Sequence, residues 1–288
     1  MAALPHHRLT PGFSVLVLDA LSDNYMYLII DEGAKLAAAV DPADAEICFK
    51  AAEARGIKIT AILTTHHHFD HAGGNNEMKK QIPGITVVGG ERDNVQGKTR
   101  SVADGEVVAI GDVEVTCVHT PCHTNGHVSY LARAAGTAAL FTGDVLFVAG
   151  CGRFFEGGPD DMIATCEKLE RLPPETLVYV GHEYTVKNLQ FALAVEPENV
   201  HAQRKMVWAQ ERRAQGEATV PSTIGDERSF NPFLRCREPS VARFCGLGAA
   251  SDDAAAVINV IRKLRNAKDS FAGSSRPWVP GGGPLPGL

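Results

Sequence analysis

The chain is organised around residues 64–71, which read Thr-Thr-His-His-His-Phe-Asp-His and directly follow an apolar run at residues 57–63. This segment contains four metal-ligand side chains: His66, His68, Asp70 and His71. Imidazole together with carboxylate suits zinc, iron or manganese and is typical of a catalytic metal. The apolar run predicts a strand, and at its end His66 and His68 would leave on the same side and bind one metal. Asp70 and His71 follow where the chain turns, and we expect them to be free to reach a second metal.

The alternative interpretation of this segment is a solvated, histidine-rich loop. The chain has only 11 histidines in 288 residues. We put the chance of an H-x-H-x-D-H pattern at random at roughly one in a thousand. The pattern therefore favours a metal site.

Length and composition limit the class of protein. A chain of 288 residues can hold one large domain, or one with a smaller companion. The net charge of -6 argues against a nucleic-acid partner, which needs a basic excess. Seven scattered cysteines without a C-x-x-C pair fit reduced thiols better than a disulfide framework. Because residues 1–12 lack an apolar signal region and no run approaches a membrane span, we expect a soluble cytoplasmic protein without a membrane partner.

Apolar patterning predicts several strands first and then alternating helices and strands. The predicted strands are residues 13–18, 25–30, 36–40, 57–63, 85–88, 106–110, 113–119, 128–132, 138–142 and 177–180. The predicted helices among them are residues 43–55, 76–81 and 161–172. This order excludes an all-helical fold and a plain β-sandwich.

The pattern changes beyond residue 185. Residues 186–195, 200–215 and 252–268 have helical periodicity, residues 221–234 form a linker rich in Pro, Ser and Asn, and no convincing strand follows. We therefore predict an N-terminal extension at 1–12, a catalytic domain at 13–185 and a helical domain at 186–272. The tail at 273–288, rich in Pro and Gly, is predicted to be disordered.

Three further polar clusters follow predicted strands. They are residues 120–127 (T-P-C-H-T-N-G-H), 141–144 (F-T-G-D) and 181–185 (G-H-E-Y-T). Strand ends on one edge of a sheet converge, and flanking glycines let the backbone crowd a metal. A lone histidine after a strand is more often a hydrogen-bonded bystander. Four such clusters in one chain favour a shared site instead.

These motifs resemble the metallo-β-lactamase superfamily and, within it, the glyoxalase II family of hydroxyacylglutathione hydrolases. The segments T-H-H-H-F-D-H, T-P-C-H-T-N-G-H, G-D-V-L-F-V-A-G-C-G and G-H-E-Y-T occur in the family's order, as does P-S-T-I-G-D-E followed by N-P-F-L-R. The resemblance covers roughly residues 13–272. It implies an α+β fold, with a four-layer αββα sandwich followed by a small all-helical C-terminal domain.

The resemblance also implies two divalent metal ions per chain, zinc or alternatively iron or manganese. The first ion would bind His66, His68 and His123, and the second would bind Asp70, His71 and His182. Asp144 would bridge both ions. Asp70 and Asp144 would be the catalytic residues, acting with a metal-bridging hydroxide. His67, His119 and His127 are not ligands in this scheme.

The activity implied is hydrolysis of a small-molecule partner, S-(2-hydroxyacyl)glutathione. With S-D-lactoylglutathione the products are glutathione and D-lactate, which is the second step of methylglyoxal detoxification. The positions that would bind this substrate are Arg153, Phe155, Tyr184, Arg265 and Lys268. The family usually has Lys and Tyr where Arg153 and Phe155 stand in this chain. A monomer is the default expectation.

Several alternatives remain from the sequence. A persulfide dioxygenase of the same superfamily would use one iron, and a hydrolase of another glutathione-type thioester would keep the same metal ligands. A non-enzymatic relative would be expected to lose ligands, whereas none is missing here.

Overall fold

The fold contains two β-sheets, seen in a computed structural model that describes residues 5–248, 253–273 and 278–279. The first sheet has seven strands in chain order, antiparallel from β1 to β4 and parallel from β4 to β7. They are β1 (His6–Arg8), β2 (Phe13–Ala20), β3 (Asn24–Asp31), β4 (Leu36–Val40), β5 (Lys58–Leu63), β6 (Thr86–Gly90) and β7 (Arg100–Val102).

The second sheet has six strands in the order β13-β12-β11-β10-β9-β8. They are β8 (Val107–Ile110), β9 (Val113–His119), β10 (Val128–Ala134), β11 (Thr137–Phe141), β12 (Leu177–Tyr179) and β13 (Ser222–Thr223). Only β11 and β12 pair in parallel.

The described residues form nine helices. They are α1 (Ala45–Glu53), α2 (Phe69–Ala72), α3 (Asn75–Gln81), α4 (Pro159–Glu170), α5 (Thr185–Val195), α6 (Val200–Ala214), α7 (Ile224–Phe230), α8 (Pro239–Phe244) and α9 (Ala254–Ser270). The side chain of Asp44 accepts hydrogen bonds from two backbone N–H groups in the first turn of α1. This cap explains why that helix begins directly after β4.

The core has two parts because β2 and β3 are buried on both faces. Alternate residues such as Val15 and Tyr27 pack between the sheets with Val115 of β9. The intervening residues, such as Leu16, pack with Cys48 of α1. Strands covered on both sides have continuous apolar sequences, which is what residues 13–18 and 25–30 show. The predicted α+β sandwich followed by C-terminal helices is confirmed.

The structure corrects some element predictions. A strand does follow residue 185, since Ser222–Thr223 pairs with β12, and two residues are too few to show periodicity. Strand β1 lies in the predicted N-terminal extension, β7 was not predicted, and α7 begins inside the predicted linker at 221–234. Helix α4 starts at Pro159 instead of residue 161 because proline fits the first helical position.

Two predictions stay open. The domain boundary near residue 185 remains a prediction. Most of the tail at 273–288 lies outside the described residues, as do residues 1–4. Within the described ranges, no helix has both the length and the apolar character needed to cross a membrane.

Candidate metal centre

The clustered His and Asp side chains lie where loops from both sheets meet. Residues 64–71 follow β5 in the first sheet. The other three segments follow β9, β11 and β12 in the second sheet. The clusters therefore converge between two sheets, and the expectation of a single sheet edge was wrong.

The local geometry of residues 64–71 also differs from the expectation. Strand β5 ends at Leu63, so His66 and His68 lie in a loop and strand alternation does not orient them. Asp70 and His71 lie on the short helix α2. The loop is fixed because the backbone N–H and the hydroxyl of Thr65 both donate to Asp41, at 2.7 and 2.8 Å.

A first group of ligand atoms comes from three histidines. His68 Nδ1 lies 3.0 Å from His66 Nε2 and 3.1 Å from His123 Nε2. Burial is the main cause that lowers the pKa of each ring, and for His66 the pKa falls well below its usual value. The rings are therefore neutral, which is the form that binds a metal.

A second group lies beside the first. Asp70 Oδ2 is 3.3 Å from His182 Nε2 and 3.6 Å from His71 Nε2. Burial opposes a charged imidazole here, but the Asp144 and Asp70 carboxylates outweigh it and raise the pKa of His182 to about 10. The same negative field attracts a divalent cation.

Asp144 lies between the two groups. Its Oδ2 is 3.6 Å from His123 Nε2 and 3.4 Å from His182 Nε2, while its Oδ1 is 3.3 Å from His71 Nε2. Although burial raises the pKa of this carboxyl, the neighbouring His71 and His182 lower it well below its usual value. Asp144 is thus an ionised carboxylate that faces both groups.

Hydrogen bonds at the far side of four rings fix which nitrogen faces the centre. His71 Nδ1 lies 3.0 Å from Asp41 Oδ2, His182 Nδ1 lies 2.8 Å from Asp23 Oδ1, and His123 Nδ1 lies 2.9 Å from the Arg153 carbonyl. The Nδ1 of the fourth ring, His66, lies 2.9 Å from the Thr65 hydroxyl. Metal-binding histidines are usually held in this way, with the second nitrogen free for the ion.

The residues present fit bound metal. His71 Nε2 and Asp144 Oδ1 are buried and make no aligned hydrogen bond within the described part of the chain. Leaving a buried polar atom without a partner costs about 1–3 kcal/mol, and a cation between the two atoms would remove that cost. The structure contains three sets of candidate ligand residues, and within each set the ligand atoms lie within 4.8 Å of one another. Together the sets comprise the seven residues that the family resemblance implies as ligands.

Two glycines let the backbone approach this centre. A Cβ at Gly181 would lie 2.3 Å from Asp144 Oδ1, and one at Gly152 would lie 2.1 Å from the Asp144 carbonyl oxygen. Both distances are far below van der Waals contact, so any other residue would displace Asp144.

The three remaining histidines of these segments lie outside the groups. His67 Nδ1 is 2.6 Å from Asp93 Oδ1, and His119 Nε2 is 3.1 Å from the Asn125 carbonyl. His127 is buried, and its Nδ1 is 2.9 Å from the Thr120 hydroxyl.

A cavity of about 440 Å³ opens beside the centre, with Asp144 and His123 in its wall. The structure brings all five predicted substrate positions to this cavity: Arg153, Phe155, Tyr184, Arg265 and Lys268. The Tyr184 ring stacks on His182 at 4.8 Å. Phe155 is 60% exposed and contacts the rings of His68 and His123.

Arg265 makes more internal contacts than the sequence indicated. Its Nη1 donates to the carbonyls of Cys151 and Gly152, at 3.0 and 3.3 Å, and its Nη2 donates to Asp269 at 2.9 Å. Arg153 Nε is 3.4 Å from the same Asp269 carboxylate. Arg265 therefore holds the loop that follows Asp144.

Sequence reasoning missed the residues that support the centre. Asp23 precedes β3 and Asp41 follows β4, and aspartate at such positions is typical of a turn. Glu227 and Asn231 fix the loop after Asp144, since Ala149 N–H donates to Glu227 and Asn231 donates to the Gly150 carbonyl. Apolar periodicity could not identify Glu227, because a single buried glutamate leaves no periodic pattern in the sequence.

Two family models match consecutive parts of the chain. The one described as the metallo-beta-lactamase superfamily matches residues 14–182, and the one described as the hydroxyacylglutathione hydrolase C-terminus matches residues 183–271. The chain is 48% identical over 257 residues to the cytoplasmic hydroxyacylglutathione hydrolase of Arabidopsis thaliana, a match that covers 88% of this chain and 97% of that protein.

Solved structures show the same fold. ETHE1 from Myxococcus xanthus is 26% identical with a TM-score of 0.61, covering 86% of this chain and 89% of that one. A metallo-beta-lactamase from Staphylococcus aureus is 20% identical with a TM-score of 0.63, covering 89% and 72%, and shows the fold alone. Membership of the superfamily implies divalent metal binding, for which the two groups around Asp144 are the candidate site. The chain belongs to the hydroxyacylglutathione hydrolase family of the metallo-β-lactamase superfamily.

Proposed function

We propose that this chain is a metal-dependent thioester hydrolase that cleaves S-(2-hydroxyacyl)glutathione to glutathione and a 2-hydroxy acid. With S-D-lactoylglutathione the acid is D-lactate, so the reaction is the second step of methylglyoxal detoxification. One observation carries the proposal: Asp144 lies between the two ligand groups and lines a cavity whose wall contains cationic side chains. The 48% identity to a hydroxyacylglutathione hydrolase supports the same substrate class.

We propose two divalent ions per chain, with zinc, iron and manganese all suited to these ligands. His66, His68 and His123 would hold one ion, Asp70, His71 and His182 would hold the other, and Asp144 would contact both. Divalent ions bound here would lower the pKa of a water from about 15.7 toward about 7, which makes hydroxide available at neutral pH.

Two carboxylates of the chain orient the attacking water. Asp70 Oδ2 accepts a hydrogen bond from Asn24 Nδ2 at 3.0 Å, which holds the carboxylate in place. The His182 hydrogen bond is the main cause that lowers the pKa of Asp70, so it stays ionised at neutral pH. Asp70 and Asp144 thus accept hydrogen bonds from the water and direct its lone pair toward the thioester carbonyl.

The leaving group needs little help from the chain. A thiol has a pKa near 8.5, so glutathione departs as a thiolate without a strong general acid.

The chain must also bind and orient the substrate. Burial is the main cause that raises the pKa of Tyr184, so its hydroxyl remains protonated and can donate to the substrate. Phe155 forms an apolar wall beside His68 and His123, where the acyl group would lie.

The test compares ligand variants with a histidine variant from outside the groups. Asp144→Asn and His68→Ala are each expected to lose S-D-lactoylglutathione hydrolysis and to retain less metal, followed by thioester absorbance and elemental analysis. His119→Ala removes an imidazole that lies outside both groups and should keep both properties. Full hydrolysis by Asp144→Asn with unchanged metal content would show that the assigned centre is not catalytic.

The rival activity is a one-iron persulfide dioxygenase. Such an enzyme needs only one ligand group, whereas here Asp70, His71 and His182 complete a second one. Oxygen uptake with glutathione persulfide is the discriminating assay. Uptake without thioester hydrolysis would favour the dioxygenase.

We propose a cytoplasmic location, because the Arabidopsis relative is named as a cytoplasmic form, and a monomer as the default state. Light scattering of the purified protein would check the mass of 30.8 kDa expected for one chain.

A further inference from the structure

A buried aspartate outside both ligand groups joins two of the loops that carry ligands. Asp93 lies in the loop after β6 and is only 3% exposed. Its Oδ1 lies 2.6 Å from His67 Nδ1, and its Oδ2 accepts a hydrogen bond from Thr124 Oγ1 at 2.7 Å. Because a carboxylate only accepts hydrogen bonds, His67 Nδ1 carries the hydrogen of the first contact. One side chain thus connects the loop after β5 to the loop after β9.

These two loops supply every ligand of the first group. His66 and His68 flank His67, and His123 directly precedes Thr124. The loops follow strands that belong to different sheets. Hydrogen bonds within one sheet therefore cannot hold the three imidazoles at a fixed distance from one another. The buried carboxylate spans the gap between the two loops, beside the ligands themselves.

The backbone around Asp93 is itself fixed. Lys98 Nζ donates to the carbonyls of Gly90 and Asp93, at 2.7 and 2.5 Å. A Cβ at Gly126 would lie 2.2 Å from Asp93 N, and one at Gly90 would lie 2.0 Å from the Gly126 carbonyl oxygen. Both distances are far below van der Waals contact, so the two loops approach this closely only because glycine stands at both positions.

His68 is the ligand that depends most on this support. In the other two rings of its group, the outer nitrogen is held by a hydroxyl or by a backbone carbonyl. His68 turns its Nδ1 toward those rings, and its Nε2 makes no hydrogen bond to a described residue. Its ring instead packs edge to face against His67 at 4.9 Å and against Phe155 at 5.6 Å. Of these two neighbours, Phe155 is 60% exposed, whereas His67 is held by Asp93.

We propose that Asp93 is a positioning residue for the first ligand group. Through His67 it holds the ring of His68, and through Thr124 it holds the loop that carries His123. Asp93 is neither a candidate ligand nor part of the cavity wall, so it acts only through these neighbours. Ligands that are fixed before an ion arrives lose less freedom when they bind it. The inference rests on the proposed metal centre and adds a residue that neither ligand group contains.

The test changes each end of this contact in the full-length chain. Asp93→Ala removes both hydrogen bonds, and His67→Ala removes the ring at a half-buried position. Asp93→Asn is the conservative variant, because its amide oxygen can accept from His67 and its amide nitrogen can donate to the Thr124 hydroxyl. Asp31→Ala is the matched control. Asp31 is also 3% exposed and accepts hydrogen bonds from three backbone N–H groups, but it lies at the far end of β3 from the centre.

Each zinc-loaded protein is titrated with a chelator whose absorbance reports the zinc removed, so the readout does not depend on activity. His68→Ala shows which of the two release steps belongs to the first group. Asp93→Ala should weaken that step about 10- to 100-fold and leave the other within about threefold. His67→Ala should weaken the same step at least about fivefold. Asp93→Asn should keep both steps within about threefold of the wild type.

The control separates positioning from a general loss of stability. Asp31→Ala should lower the resistance to urea but leave both zinc-release steps unchanged. The inference is overturned if Asp93→Ala leaves zinc release unchanged or weakens both steps equally, or if Asp93→Asn is as weak as Asp93→Ala. If Asp93→Ala does not fold, unchanged release from His67→Ala overturns it. A wild-type chain that releases fewer than two zinc ions would refute the proposed metal centre, and this inference with it.

Discussion

A buried glutamate in the second half of the chain makes stability depend on pH. Glu227 of α7 is fully buried and accepts hydrogen bonds from Ser222 Oγ at 2.5 Å, Ala149 N at 2.8 Å and Asn231 Nδ2 at 2.9 Å. Burial is the main cause that raises its pKa from 4.5 to about 7, and the three hydrogen bonds oppose the rise.

The sign of the effect follows from which state holds the proton. Between pH 4.5 and about 7 the unfolded chain has lost the Glu227 proton while the folded protein keeps it. The contribution of Glu227 to the free energy of unfolding therefore falls as the pH rises through this window and is constant above it. At about 1.4 kcal/mol for each pH unit, the gap between 4.5 and about 7 corresponds to a loss of about 3 kcal/mol.

Glu227→Gln should remove this loss. The amide oxygen can accept from Ala149 N–H and Asn231, and the amide nitrogen can donate to the Ser222 hydroxyl, so every hydrogen bond is retained. We expect the variant and the wild-type protein to be equally stable within about 1 kcal/mol near pH 5. Near pH 8 the variant should be about 2–3 kcal/mol more stable.

Urea denaturation at several pH values, at one fixed metal concentration, measures the difference between the two proteins. Because both share the same metal ligands, titration of the metal centre cancels in that difference. Glu53→Gln makes the same chemical change at an exposed position of α1 and should show no pH-dependent difference. A Glu227→Gln difference that is constant with pH, or that favours the wild type near pH 8, would refute the reasoning.

Three further predictions concern the site. Asp41→Asn should weaken metal binding about 10- to 100-fold, because Asp41 fixes the His71 ring, and competition with a chelator would show it. Phe155→Tyr should lower the KM for S-D-lactoylglutathione by about 2- to 12-fold if the added hydroxyl bonds the substrate, whereas an unchanged KM would exclude that contact. Affinity for S-methylglutathione should fall as pH rises through about 7, where Lys268 loses its proton, and Lys268→Met should remove that dependence in calorimetry.

The sequence predicted the chemistry of the centre better than its geometry. His66, His68, Asp70 and His71 were identified by residue type and spacing, which does not require correct local structure. The predicted end of the strand at residue 63 is correct, but His66 and His68 were expected to alternate as strand residues do, and apolar periodicity cannot show that they lie in a loop. The loop instead depends on Thr65, whose hydrogen bonds to Asp41 join residues that are 24 positions apart.

Features that depend on single side chains or short segments were not predictable. Strand β13 has two residues and exists only because β12 lies beside it. Asp23 has the residue type of a turn former, and its hydrogen bond to His182 spans 159 positions. Lys268 is an ordinary lysine in sequence, and only the tertiary fold brings its Nζ to 3.5 Å from the backbone carbonyl of Lys187, 81 positions away.

The central claim is that this chain hydrolyses a glutathione thioester and that the ligand groups around Asp144 would hold two divalent ions for the reaction. The most direct measurement titrates the metal-free protein with zinc while the rate of S-D-lactoylglutathione hydrolysis is followed at each addition. Two complete ligand groups predict that the rate rises until two ions are bound per chain and then stays constant. A rate that reaches its maximum with one ion bound, or no hydrolysis with two, would contradict the claim.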